Sequence, residues 1–258
     1  MMFKLSKWYG DCVASDGTVF VGYAARASFG PIPLSYHALL WCPPEGEATS
    51  ALTMAPAPLP SLSEEGVQWH NRRLGVRATW RGALRPTGLV LLDTPALGVE
   101  WRCHLPAGHA SVTTELGAIE GAGYAEELLL RGNPAKLPIR ELHWGRFTSS
   151  HASVVWIQWR GPRPLLLVLL DGVEVSATRA DERRVCFAGG EVTFADRRLL
   201  REEPVARSVF GASEWRQRLL PGAVGQWQEE KWLSRGHLDR VGRRGEDGWV
   251  VHERVTFR

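Results

Sequence analysis

Apolar and polar residues alternate along most of this chain with a period of two, and no stretch keeps apolar residues at helical spacing for four turns. In 18–29, Val19, Val21, Tyr23, Ala25, Ala27 and Phe29 fall on one face, and Phe20, Gly22, Ala24 and Arg26 on the other. The same reading predicts strands over 8–14, 34–41, 48–55, 67–81 with a break at Gly75, 88–92 and 98–105. Further strands follow over 142–147, 153–160, 164–170, 174–178, 184–187, 191–194, 199–203, 226–239 and 249–257. Segment 123–130 fits a strand or a short helix, and 213–219 is the one short helical candidate. Asp16-Gly17, Asp171-Gly172 and Gly189-Gly190 mark turns, and 56–65 is a proline-rich loop. About fourteen strands, with turn signals about every 8 to 12 residues, predict an all-β antiparallel barrel or sandwich architecture. The polar, glycine-bearing stretch 106–120 reads as a connection, which divides the chain into two β modules, 1–116 and 117–258. A weak echo supports the division: Trp8 precedes Tyr23 by the same spacing as Trp144 precedes Trp159, with a β-branched run between in each case.

Composition narrows the class. Twelve tryptophans, 27 glycines and 16 prolines in 258 residues suit many short strands packed around large fillers. Net charge is only +3, from 31 basic and 28 acidic residues, and the signs are interleaved, which argues against a nucleic-acid partner. Cys12, Cys42, Cys103 and Cys186 are far apart and form no metal-type or redox pair, so four free buried thiols are expected. The histidines show no ligand spacing, and no metal is expected. No apolar run is long enough for a signal peptide or a membrane span, so a cytoplasmic location is expected, with peripheral membrane contact and oligomeric state left open. Gly121-Ala122-Gly123 opens no strand-to-helix turn, there is no P-loop, and no serine sits in a nucleophile elbow.

Three stretches carry a resemblance. They are Lys7-Trp8-Tyr9-Gly10-Asp11 followed by Asp16-Gly17; Gly121-Ala122-Gly123-Tyr124-Ala125-Glu126; and Leu142-His143-Trp144-Gly145-Arg146-Phe147 followed by Val154-Val155-Trp156. The chain resembles the lipocalin-like superfamily of carotenoid 1,2-hydratases (hydroxyneurosporene synthases), with which tocopherol cyclases, AttH-type proteins and some fungal Diels–Alderase cyclases are grouped. The resemblance implies two lipocalin-like antiparallel β-barrel or sandwich modules side by side, with a hydrophobic pocket in one barrel or between the two. It also implies hydration, cyclisation or cycloaddition of a long apolar substrate without cofactor or metal. It carries over no catalytic residue.

Period-two counting supplies the candidates. Glu253 shares a face with Trp249, Val251, Val255 and Phe257. A carboxyl among apolar side chains is either paired or held neutral, and a neutral carboxylic acid in an apolar pocket protonates an alkene or donates to a carbonyl. Glu126 shares a face with Tyr124, Leu128 and Leu130 and has the same two readings; Glu127 then points away into solvent. Tyr124 and His143 are placed to orient a substrate or relay a proton. Trp144, Trp156, Trp159, Tyr23, Trp227 and Trp249 are candidate pocket walls, with Trp156 and Trp159 on opposite faces of one strand. His37, alternating with Leu39 and Trp41, and Glu229, alternating with Trp227 and Lys231, complete the set; Glu229 and Lys231 also read as a plain polar face. Glu253 is expected to look into the space walled by 121–161. Two functions stay open: a cofactor-independent hydratase or cyclase, and a non-catalytic carrier of an apolar ligand.

Overall fold

A computed structural model describes residues 3–82, 85–210 and 226–257, without the side chains of Ile32 and of 208–210. The candidate helix 213–219 lies outside the described residues. The chain is almost entirely antiparallel sheet, and it divides into two compact units, Met1–Leu137 and Pro138–Arg258.

The first unit holds β1 (Phe3–Val13), β2 (Val19–Phe29), β3 (Ile32–Cys42), β4 (Thr49–Thr53), β5 (Ser61–Ser63), β6 (Gly66–Asn71), β7 (Val76–Arg81), β8 (Thr87–Asp93), β9 (Leu97–Thr114) and β10 (Gly117–Gly132). Their order in the sheet is β4-β3-β2-β1-β10-β9-β7-β6-β5, and β8 pairs with one half of β9. The stretch 106–120 is therefore no connection. It alternates after all, with Ala110 and Val112 in the core and His109, Ser111 and Thr113 turned the other way, so it forms the turn end of a long hairpin. Its polar residues and glycines obscured this. The register of β9 against β10 shifts between Gly123 and Ala125 and again between Ala125 and Glu126, and the extra residues lie on β9 around Pro106. The boundary read at 116/117 falls at the tip of this hairpin. Strand β10 pairs with β1 from Lys4↔Arg131 to Val13↔Ala122 and belongs to the first sheet.

The second unit holds β11 (Glu141–Thr148), β12 (Ser153–Arg160), β13 (Leu165–Leu170), β14 (Val173–Val175), β15 (Ala177–Ala180), β16 (Arg184–Phe187), β17 (Gly190–Pro204), a short helix α1 (Val205–Phe210), β18 (Gln228–Arg240) and β19 (Glu246–Thr256). The order is β14-β13-β12-β11-β19-β18-β17-β16-β15.

Among the described residues each unit has a core on one face of its strands. In the first it is centred on Trp8, Phe20, Trp69 and Trp80; in the second on Phe147, Trp156, Phe187 and Phe194. Glycines on the facing strands make room for these rings. A Cβ on Gly10 would stand 2.7 Å from the Trp80 ring, one on Gly22 2.6 Å from Trp69, and one on Gly145 2.2 Å from Trp156. The result is a filled interior. The residual cavity inside the first unit, among Trp8, Pro60, Trp69 and Trp80, is about 10 Å³, room for about one water. Among the described residues, the cavity within this tryptophan core therefore has no room for the apolar ligand that the resemblance implied inside a barrel.

The core of the second unit contains a pH-sensitive group. His252 Nε2 lies 3.0 Å from Ser234 Oγ, and its ring stacks with Trp232. Burial first, then the charges of Arg197 and Lys231, lower its pKa from 6.5 to about 3. Between those values the unfolded chain binds a proton that the folded chain refuses, so stability is complete above pH 6.5 and falls as the pH is lowered through that window. The expected loss is about 1.4 kcal/mol per pH unit. Urea unfolding at pH 6.5 and 4.5 should show a slope shallower by that amount in His252→Gln, which keeps a partner for Ser234.

Candidate active site

The sheet register assembles the chemistry in rows. In the first unit one row across four strands reads Tyr23, Tyr9, Glu126 and Cys103, and the next reads Val21, Asp11 and Tyr124. These side chains occupy the face opposite the tryptophan core, and that face is buried too: Tyr9, Asp11, Tyr23, Cys103 and Tyr124 all have 5% or less of their surface exposed. Glu126 is half-buried.

Glu126 Oε2 accepts two short hydrogen bonds, from the Tyr124 hydroxyl at 2.5 Å and from Trp101 Nε1 at 2.5 Å. Trp101 reaches this atom from β9 beyond the bulge at Pro106. Bulges commonly re-aim side chains beside functional sites, and here the irregularity lies next to both donors. Burial, with Cys103 and Glu126 alongside, raises the pKa of Tyr124 well above the ordinary phenol range, so its hydroxyl stays protonated and remains a donor. The aromatic ring of Tyr9 stands edge-on to Tyr23 at 5.5 Å and to Tyr124 at 6.1 Å, and its hydroxyl donates to Asp11 Oδ2 at 2.8 Å. Trp80 Nε1 donates to the Asp11 carbonyl at 2.7 Å and ties this row to the core behind it.

In the second unit the corresponding row reads Ile157, Trp144, Glu253, Lys231 and Arg201. Glu253 stands directly opposite Trp144, and it is paired: Lys231, with no exposed side-chain surface, donates to its carboxylate and lies 5.3 Å from the Trp144 ring. Glu229 accepts from Arg201 at 2.6 Å. Of the two readings of Glu253, the structure selects the ion pair. Glu229 and Lys231, read as a plain polar face, are both buried. Lys231→Met would leave the Glu253 carboxylate without its counter-charge at an expected cost of about 3 kcal/mol, and Lys231→Met/Glu253→Gln should recover much of it. Urea unfolding of the two variants measures this.

The remaining candidates separate. Tyr23 joins the Glu126 row. His37 lies on the opposite, core side of the same sheet, fully buried, and among the described residues neither ring nitrogen has a hydrogen-bond partner; burial and then the Arg26 charge lower its pKa. His143 lies on the core side of β11, with Nε2 2.9 Å from Glu141 Oε1, and burial lowers its pKa. Trp156 is core, whereas Trp159 is buried on the other face. Trp227 packs edge-on against Phe257, and Trp249 lies under the Arg235 guanidinium at 3.6 Å. Glu127 corrects an expectation: it is buried rather than solvated, because both faces of this sheet are covered. The His104 ring, 3.6 Å away, first, then a hydrogen bond from the Ser6 hydroxyl and the Arg102 charge, lower its pKa. Cys186 is half-exposed, while Cys12, Cys42 and Cys103 are buried thiols. Sequence reading did not single out Trp101 or Asp11 as site residues. Asp11 sits at apolar parity in its strand, and that signal was available; Trp101 and the pairing of Lys231 with Glu253 emerge only from the register.

Among the described residues no group of three or more His, Cys, Asp or Glu is placed to hold a metal ion, and no helix is long and apolar enough to cross a membrane.

No family model and no curated protein matches the sequence. Solved structures do. CghA in complex with Sch210972 is similar at 13% identity and a TM-score of 0.58, over 98% of this chain and 88% of that one. Kievitone hydratase from Nectria haematococca is similar at 9% identity and a TM-score of 0.55, over the same shares of 98% and 88%. A putative AttH from Nitrosomonas europaea is similar at 12% identity and a TM-score of 0.50, covering 99% of this chain and 93% of that one. The shared feature is the fold.

Proposed function

We propose that the protein is a cofactor-independent hydratase or cyclase for an apolar small molecule, with Glu126 as the proton-transfer group. The observation that carries this reading is the Tyr124–Glu126–Trp101 cluster. A half-buried carboxyl is fixed by two neutral donors on one oxygen, among aromatic side chains. Protonated Glu126 delivers its proton to a polarised double bond. The carboxylate left behind is stabilised by Tyr124 and Trp101, whose hydrogen bonds strengthen as charge develops on Oε2. Water, or a hydroxyl of the substrate itself, then adds to the electron-poor carbon, and Glu126 recovers a proton from it. The first course is hydration and the second is cyclisation. Tyr124 and Trp101 act as permanent donors, and Tyr9 and Tyr23 supply aromatic faces toward developing positive charge.

Two of the similar structures support the class: one is named as a hydratase, and the other holds a small organic molecule. Glu253 serves in this reading as the counter-charge that keeps Lys231 buried, and not as an acid. The test is incubation with conjugated polyenes and prenylated phenols in ¹⁸O-labelled water. A hydrate carrying the label, or an unlabelled cyclic isomer, supports the proposal. Ligand quenching of tryptophan fluorescence with no product replaces it by a carrier.

A further inference from the structure

Most large apolar side chains at the end of the β2–β3 hairpin face outward. Phe29 is 51% exposed and Leu34 40% exposed, and Pro31 and Pro33 are exposed beside them. The register sets these residues in an apolar face. Phe29 pairs with Phe3, and Leu34 pairs with Ala27, which pairs in turn with Leu5. Side chains at the alternate positions point the other way, and there the row reads Arg26, Ser28 and Lys4, with Lys4 opposite Arg131. Arg26 and Lys4 are exposed. Neither is paired with a carboxylate among the described residues, and no acidic residue occurs in 3–8 or in 26–37. The hairpin end is therefore amphipathic, with one apolar face and one basic face.

We infer that this tip docks on a lipid bilayer bearing anionic headgroups. Phe29 and Leu34 enter the boundary between headgroups and acyl chains, while Lys4 and Arg26 meet the headgroup charge. The backbone chemistry favours this occupant. A turn entering an apolar phase loses water from its unpaired N–H groups, and Pro31 and Pro33 have none to lose. The inference does not depend on the reaction proposed for Glu126.

The experiment is co-sedimentation of the full chain with vesicles of phosphatidylcholine, alone or mixed with phosphatidylglycerol, at low and high salt. The protein should pellet with the anionic vesicles, and less so at high salt. Phe29→Ser/Leu34→Ser should weaken partitioning about ten-fold. Lys4→Glu/Arg26→Glu should remove the preference for the anionic vesicles. Arg243→Glu/Arg244→Glu, which alters a basic loop elsewhere, should change neither. Circular dichroism and thermal unfolding confirm that each variant is folded; should one tip variant unfold, the other decides. Failure to pellet with either vesicle overturns the inference, as does unchanged binding of both tip variants. It is equally overturned by loss of binding in the Arg243/Arg244 variant, or by tip-dependent self-association in lipid-free buffer.

Discussion

Glu126→Gln should lower turnover by about 10²- to 10⁴-fold, the range in which a positioned general acid contributes. The substitution keeps the size of the side chain and its acceptor for Tyr124 and Trp101, so the row stays folded. It removes the only transferable proton at that position. The loss should therefore appear in kcat, with KM nearly unchanged, since the proton acts in the transition state more than in binding. Tyr124→Phe separates positioning from transfer. It deletes one of the two donors that stabilise the carboxylate and should cost about ten-fold to a hundred-fold, less than the loss of the acid itself. Steady-state rates of the two variants, with melting curves beside them, measure both effects.

Gly145→Ala should destabilise the protein by about 3 kcal/mol, a fall in melting temperature of roughly 10 °C. Gly145 is paired directly with Trp156, and a Cβ there would stand 2.2 Å, 2.6 Å and 2.7 Å from three atoms of its ring. The ring has no room to retreat, because Trp156 is 2% exposed and stacks on Phe194 at 5.7 Å. Gly145→Ala/Trp156→Leu should be more stable than the sum of the separate losses implies, because shrinking the ring relieves the clash. Gly88→Ala is the control. Its Cβ would meet only Arg102 Cγ at 3.9 Å, and its effect should stay within about 0.5 kcal/mol. Differential scanning calorimetry of the four variants decides whether close glycine–tryptophan packing sets the stability of these sheets.

Period-two counting was enough to find the all-β class, most of the strands, and the placement of Tyr124 and Glu126 on one face. It works because strand side chains alternate whatever the neighbouring strand is. It failed where the identity of the neighbour mattered. Lys231 and Glu253 are far apart in sequence and become a pair only through the register of β18 on β19. Trp101 lies diagonally across the β9–β10 ladder from Glu126, a neighbour that no spacing in the sequence reveals. Glu127 was assigned to solvent on the assumption that a strand has one wet face. Here β1, β2, β9 and β10 bury side chains on both faces, so a polar residue at either parity finds a partner. The tryptophans were ambiguous for the same reason: Trp156 and Trp159 lie on opposite faces and both are buried.

The central claim is that Glu126 moves the proton, and one comparison tests it most directly. Wild type and Glu126→Gln are given the same apolar unsaturated substrate in ¹⁸O-labelled water, and products are followed by mass spectrometry. A labelled hydrate or a cyclic isomer formed by the wild type, with its rate reduced about a hundred-fold or more in Glu126→Gln, is the expected result. Equal rates in the two proteins would contradict the account and move the chemistry away from the Tyr124–Glu126–Trp101 cluster.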